Sequence, residues 1–222
     1  MISLSMAIWR DWRDHVAAAT IAPAAILCAL TVSFASLSPL MISGMLSGAS
    51  ILGGWFAGRR YGPGSFGRER LTRFVSESGR RGTGFGLALS ALSAWICVIT
   101  ALAPALALLV YSWRLGSSRL ILFMTASMGP WFLSWGGAFV SSILKSDETS
   151  APGWWMCLLW LIPTALVPVL RFLNPFIIVW RAIGGDLIAS VLYGSTVLTA
   201  AGICLMVLGS SVFKRSISRI EI

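Results

Sequence analysis

Apolar and polar positions fall along this chain in long blocks, not in the short periods of a soluble helix or strand. Six stretches carry no charged residue: 16–37, 40–57, 86–111, 120–144, 154–170 and 187–213, of 22, 18, 26, 25, 17 and 27 residues. A helix rising about 1.5 Å per residue needs about 20 residues to cross a hydrocarbon core about 30 Å thick. Each block is therefore a candidate span, the fifth of marginal length and the third and sixth long enough to tilt. All twenty-five charged residues lie outside the blocks. The pattern predicts an all-α polytopic membrane protein with six transmembrane helices, in a single domain over residues 1–222.

The intervening segments have patterns of their own. Over residues 3–16, at about 100° per residue, Leu4, Ile8, Trp9, Trp12 and Val16 gather on one arc, and Arg10, Asp11, Arg13 and Asp14 take the other. Tryptophan suits the headgroup level and Arg10 can pair with Asp14 four residues on, so 1–15 is expected to be an interfacial helix anchored by Trp9, Arg10, Trp12 and Arg13. A plain extension of the first span is the alternative. The loop 58–85 opens with the Gly- and Pro-rich run GRRYGPGSFG and then turns amphipathic. Leu71, Phe74 and Val75 share one helical face, Glu69, Arg73 and Glu77 another, and Gly79 closes the segment. Such a helix needs cover for Leu71 and Phe74, from the bilayer surface or from a second protein. After the fifth block, Pro163, Pro168 and Pro175 break helical continuity and predict short kinked pieces. Residues 172–180 are apolar but too short to cross, and are expected to dip into the outer leaflet or lie upon it.

Composition agrees with the blocks. The chain is 57% apolar and 11% charged, whereas an ordinary soluble domain is about 25% charged. A soluble enzyme and a disordered chain are both excluded. The net charge of +9 raises nucleic acid as a partner, but topology accounts for it. With a cytoplasmic N-terminus, segments 1–15, 58–85, 145–153 and 214–222 hold thirteen Lys and Arg, against four outside: Arg114, Arg119, Arg171 and Arg181. Basic residues collect on the cytoplasmic side, so both termini are expected there, in a multi-pass cell (inner) membrane protein with no nucleic-acid partner. Cys28, Cys97, Cys157 and Cys204 are far apart, each in an apolar run, and read as small core residues.

Little in the sequence carries chemistry. No GxxxxGK[ST] phosphate loop occurs, and GTGFG at 82–86 lacks the spacing and the preceding strand of a nucleotide fingerprint, so packing or a hinge is its expected role. The single His15 has no Cys, His or carboxylate cluster near it, and the spans offer no ionisable group for an intramembrane hydrolase or proton-driven pump. No catalytic residue, metal site or cofactor is expected on this chain. Gly44 and Gly48 form a GxxxG, and Gly54 and Gly58 repeat the spacing, which favours close helix packing, within the chain before between chains. Asp186, next to Gly184 and Gly185 and just before the last block, reads as a helix N-cap or as an ion-pair or substrate partner of Arg181.

Two stretches carry a family likeness: GRERLTRFVSESGRRGTGF between the second and third blocks, and RFLNPFIIVWRAIGGD leading to an apolar helix that ends in VFKR. With the amphipathic lead segment and the six spans, the chain resembles the membrane (permease) subunit of type-2 ATP-binding-cassette (ABC) transporters. The resemblance implies that Glu69, Arg70, Leu71, Arg73 and Phe74 sit on a short cytoplasmic coupling helix that docks into an ATPase subunit. Gly82 and Thr83 would open the third helix. Asn174, Pro175 and Arg181 would shape an extracytoplasmic gate, with Asp186 beside it. The interval between the fifth and sixth spans is compressed relative to the re-entrant hairpin common in that family.

The resemblance thus implies a permease that moves a cargo by alternating access, driven by cytoplasmic ATPase subunits that hold ATP and Mg, beside a second permease subunit of identical or related sequence in the lipid bilayer. A pathway lined by Trp131, Trp135 and Phe139 would suit an amphipathic, lipid-like or peptide cargo. The alternative is a non-transporting membrane anchor or assembly subunit of a larger complex, which predicts the same spans and charge bias.

Overall fold

The computed structural model describes residues 39–59, 69, 71, 72, 84, 86–89, 91, 92, 94–96, 117–144, 160–184 and 188–217. Among the described residues all regular structure is helical, in agreement with the all-α expectation. The elements are α1 (Pro39–Arg59), the shorter apolar helix α2 (Gly86–Ile96), α3 (Ser117–Leu144), α4 (160–166), a 3-10 turn (Pro168–Leu173), α5 (Pro175–Gly184) and α6 (Ile188–Ile217). The first block and the 1–15 segment, with Trp9, Arg10, Trp12 and Arg13, lie outside the described residues, as do Arg70, Arg73, Phe74 and Asp186.

Helix ends follow the charge boundaries closely. The second, fourth and sixth blocks become α1, α3 and α6, each lengthened by a few residues at one or both ends. The fifth is cut short, because α4 stops at 166. Val167 and Asn174 each precede a proline and are extended, at φ −89°, ψ 113° and φ −76°, ψ 121°. Proline crowds the residue before it out of the helical region, so the backbone breaks at both places. Pro168 then opens the 3-10 turn and Pro175 opens α5, where a missing N–H costs nothing. The predicted short pieces are therefore present at Pro168 and Pro175, whereas Pro163 lies inside α4 and does not interrupt it.

Contacts between helices fix their directions. Gly129 meets Ser195 and Gly136 meets Gly202, seven residues further along both α3 and α6. Phe132 meets Gly202 and Phe139 meets Gly209, with the same step. Gly54 meets Trp131 and Gly58 meets Trp135, four residues further along both α1 and α3. Helices α1, α3 and α6 therefore run parallel. Helix α2 runs against them, since the Trp131 indole donates to the Ala91 carbonyl at 3.1 Å while Trp95, further along α2, donates to Ser127, earlier on α3, at 3.2 Å. The starts of α1, α3 and α6 thus share one end of the bundle, the leading end, and Arg59, Leu144 and Ile217 share the trailing end.

Small residues make these approaches possible. A Cβ on Gly54 would lie 2.5 Å from the Trp131 carbonyl oxygen, and one on Gly136 would lie 2.5 Å from the Gly202 carbonyl oxygen. A Cβ on Gly58 would meet the Trp135 carbonyl and the Ala138 Cβ, and one on Gly202 the Phe132 carbonyl. In each case side-chain bulk is replaced by backbone against backbone, which is how helices gain dispersion contact where hydrophobic transfer gives no drive. The second GxxxG pair thus packs within the chain. At Gly44 and Gly48 a Cβ would meet nothing within 4 Å among the described residues.

The core lies between α2, α3 and α6, where Leu87, Ala91, Trp131, Phe132, Trp135, Phe139, Met206 and Phe213 form one buried cluster. Helix α6 contrasts with it. Ile188–Phe213 is long and apolar enough to cross a membrane, with mean hydropathy 2.0, yet only 33% of its most apolar window is buried. It is the one such helix among the described residues. Helices α1 and α3 have 21 and 28 residues. Cys204, expected in the core, is exposed on α6.

Candidate functional site

Three groups of residues singled out in the sequence fall on three parts of this bundle. The first is the loop helix. Glu69, Leu71 and Thr72 are helical, with Glu69 exposed and Leu71 only 3% exposed within the core cluster. The sequence left cover for Leu71 to a bilayer or a partner. The chain's own bundle provides it, which leaves Glu69 as the described side chain of this segment that faces outward. The GTGFG run behaves as a packing element where it is described, since a Cβ on Gly84 would lie 2.8 Å from Val207 on α6.

The second group is aromatic. Trp131, Trp135 and Phe139 lie along one face of α3, exposed by 1%, 0% and 0%. The two indoles pack tilted at 58°, with centroids 6.0 Å apart. Gly53 makes room for the Trp131 ring, whose edge lies 2.7 Å from where a Cβ would be, and Gly209 makes room for Phe139. In this conformation these three side chains fill the interior and line no open surface.

The third group closes the leading end. Asn174 is the N-cap of α5: its Oδ1 accepts from the Phe176 and Ile177 amides at 3.0 and 3.4 Å. Its Nδ2 donates to Thr164 Oγ1 at 3.3 Å, and Thr164 in turn donates to the Trp160 carbonyl at 2.8 Å. The Trp160 indole reaches the Leu173 carbonyl at 3.2 Å, and Ser47 of α1 donates to the Pro175 carbonyl at 3.2 Å. Arg181 donates to Ser190 of α6 at 3.4 Å. Phe172 stacks on Tyr193 at 5.5 Å, its carbonyl seated on Gly194. Asn174 and Pro175 at the start of α5, and Arg181 about two turns on, thereby tie α1 and α6 to the pair α4 and α5. The 3-10 turn between them buries no residue, and Leu166 and Val169 are exposed by 72% and 77%.

The sequence reading did not single out the hydroxyls that join the helices. Ser47, Ser127, Thr164 and Ser195 are all buried, and a buried hydroxyl in an apolar block must find a partner or cost free energy. Hydroxyls at depth were the available signal. Ser195 is the most connected of them across helices: its Oγ accepts from the Gly129 amide at 3.2 Å and donates to the Thr125 carbonyl at 2.5 Å. Among the described residues Ser134 Oγ is buried without a hydrogen-bond partner. Among the described residues no group of three His, Cys, Asp or Glu gathers. No protein-family profile, no characterised protein and no solved structure matches this sequence.

Proposed function

We propose that the chain is a six-span permease subunit of the type-2 ABC kind, which moves an amphipathic, lipid-like or peptide cargo by alternating access under the drive of separate ATPase subunits. The observation that carries this reading is the parallel run of α1, α3 and α6. Parallel neighbours require the chain to return to the leading end between them, and α2 runs in that returning direction. Counted with the apolar blocks 16–37 and 154–170, this alternation is what six successive crossings produce. At about 1.5 Å per residue α1, α3 and α6 measure about 31, 42 and 45 Å, enough for a core about 30 Å thick. The low burial of α6 also supports a membrane setting, since the core helix of a soluble protein would be mostly enclosed.

Charge supports the orientation. Arg59, Arg60, Lys145, Lys214 and Arg215 occur in the sequence at or just after the trailing ends of α1, α3 and α6, which makes that end cytoplasmic. The loop helix follows α1 on the same side. There Leu71 holds it to the bundle while Glu69 stays outward, as a lever that an ATPase pushes would need. The chain offers no phosphate loop, so the fuel is handled by a partner.

The test is co-purification of the full chain from its native membrane. An ATPase chain with a phosphate-binding loop is expected to come with it, and Glu69→Arg is expected to weaken that association at least severalfold while membrane insertion is unchanged. Capture of an unrelated complex with no ATPase, or unchanged association of the variant, overturns the coupling role and favours the non-transporting anchor.

A further inference from the structure

We propose that Gly129–Pro130 is a hinge in α3 and that the Ser195 hydroxyl of α6 is its latch. This does not rest on the transport reading. In a regular helix the Gly129 amide would bond to the Thr125 carbonyl and the next amide to the Ala126 carbonyl. Pro130 has no amide, so the second rung is missing, and its ring crowds the Ala126 carbonyl. The first rung is engaged from outside: Ser195 Oγ accepts from Gly129 and donates to Thr125, the two groups that would otherwise serve each other. Two consecutive rungs of a 28-residue helix are thus absent or shared at one level.

The surroundings strengthen the assignment. Thr125 Oγ1 donates to the Ile121 carbonyl at 2.9 Å, and Ser127 Oγ to the Met124 carbonyl at 2.7 Å, so side-chain hydroxyls draw on carbonyls throughout the turn before the proline. Such back-bonding bends helices. Gly129 lets α6 come close enough for the latch, since a Cβ there would lie 2.8 Å from the Ser195 carbonyl oxygen and 2.9 Å from its Cα. Below the break, α3 is locked to α1 by Gly54 and Gly58 and to α6 by Gly202 and Gly209. Bending therefore concentrates at one level, where a hydroxyl from α6 decides whether the ladder is bridged. Displacement of α6 by one hydrogen-bond length releases the bridge.

The test uses the full chain in lipid nanodiscs. With Ser195→Ala, backbone amides over 124–134 are expected to exchange hydrogen about fivefold faster, the effect of losing one net hydrogen bond, while 136–143 stays unchanged. Nitroxides at Ser118→Cys and Ser141→Cys, with the native cysteines replaced, are expected to gain a second, shorter distance population in the same variant. Pro130→Ala restores the missing rung. It is expected to slow exchange over 126–134 even with Ser195 intact, and to remove the second population from the double variant. The proposal is overturned by Ser195→Ala leaving both readouts unchanged, by exchange rising evenly along α3 and α6, or by Pro130→Ala failing to slow exchange. Should Ser195→Ala not fold, the Pro130→Ala result alone decides.

Discussion

At the scale of the residue, this bundle is organised by what is missing from its glycines. Gly58 and Gly44 stand in the same helix, each in a GxxxG pair, yet one faces the Trp135 carbonyl and Ala138 and the other meets nothing within 4 Å among the described residues. Gly58→Ala is expected to destabilise the fold by about 1–3 kcal/mol, since helix backbone cannot yield as a flexible side chain would. Gly44→Ala is expected to be neutral or to stabilise by about 0.5–1 kcal/mol through helix propensity. Thermal unfolding of the two variants in the same micelle checks the contrast, and equal shifts would remove the assigned seam. The sequence made the spacing legible but not which pair is used, because that depends on residues of α3 far along the chain. Leu71 and Cys204 were misread for the same reason: hydropathy says that a side chain avoids water, not which cover it finds.

At the scale of the element, prolines were legible and hydroxyls were not. Proline acts on its own neighbours, so Pro168 and Pro175 announce their breaks from local sequence alone. Asn174 completes the second break from the residue next to it, and the pair reads as N-cap and first helical position. Its reach to Thr164 is added by the fold. Asn174→Ala is expected to cost about 1 kcal/mol or slightly more, because both α5 amides and the Thr164 contact lose their partner. Hydrogen exchange over 175–184 is expected to rise while α6 keeps its protection. Asn174→Asp, which retains the cap oxygen, is expected to restore most of it. In α3, by contrast, Pro130 is visible in the sequence and its consequence is not, since the group that bridges the gap lies 66 residues from Gly129. A proline in a long helix marks where bending is cheap. Only the packed neighbour says what holds it straight.

At the scale of the whole molecule, the direction of the helices links the block pattern to a membrane. A soluble bundle could also hold three parallel helices, but its outer faces would be polar, and here Phe56, Ile121, Leu192 and Leu208 are exposed by 67%, 66%, 42% and 61%. Lipid solvates such faces without penalty, whereas water would drive them together. If α1, α3 and α6 cross in one direction, their starts must lie on one side of the bilayer and their ends on the other. Single cysteines at Ser118 and Ile188, in a background without native cysteines, are expected to react with an impermeant maleimide from outside intact cells. Arg59→Cys, at the trailing end, is expected to react only after permeabilisation. Losing one of thirteen basic residues leaves the charge bias of thirteen against four nearly intact, so that variant should not invert the chain. Reaction of all three from the same side would mean that the helices lie along the membrane or outside it. With that, the lever proposed below α1 and the leading-end closure built on Asn174 and Arg181 would have no gradient of sides to work between.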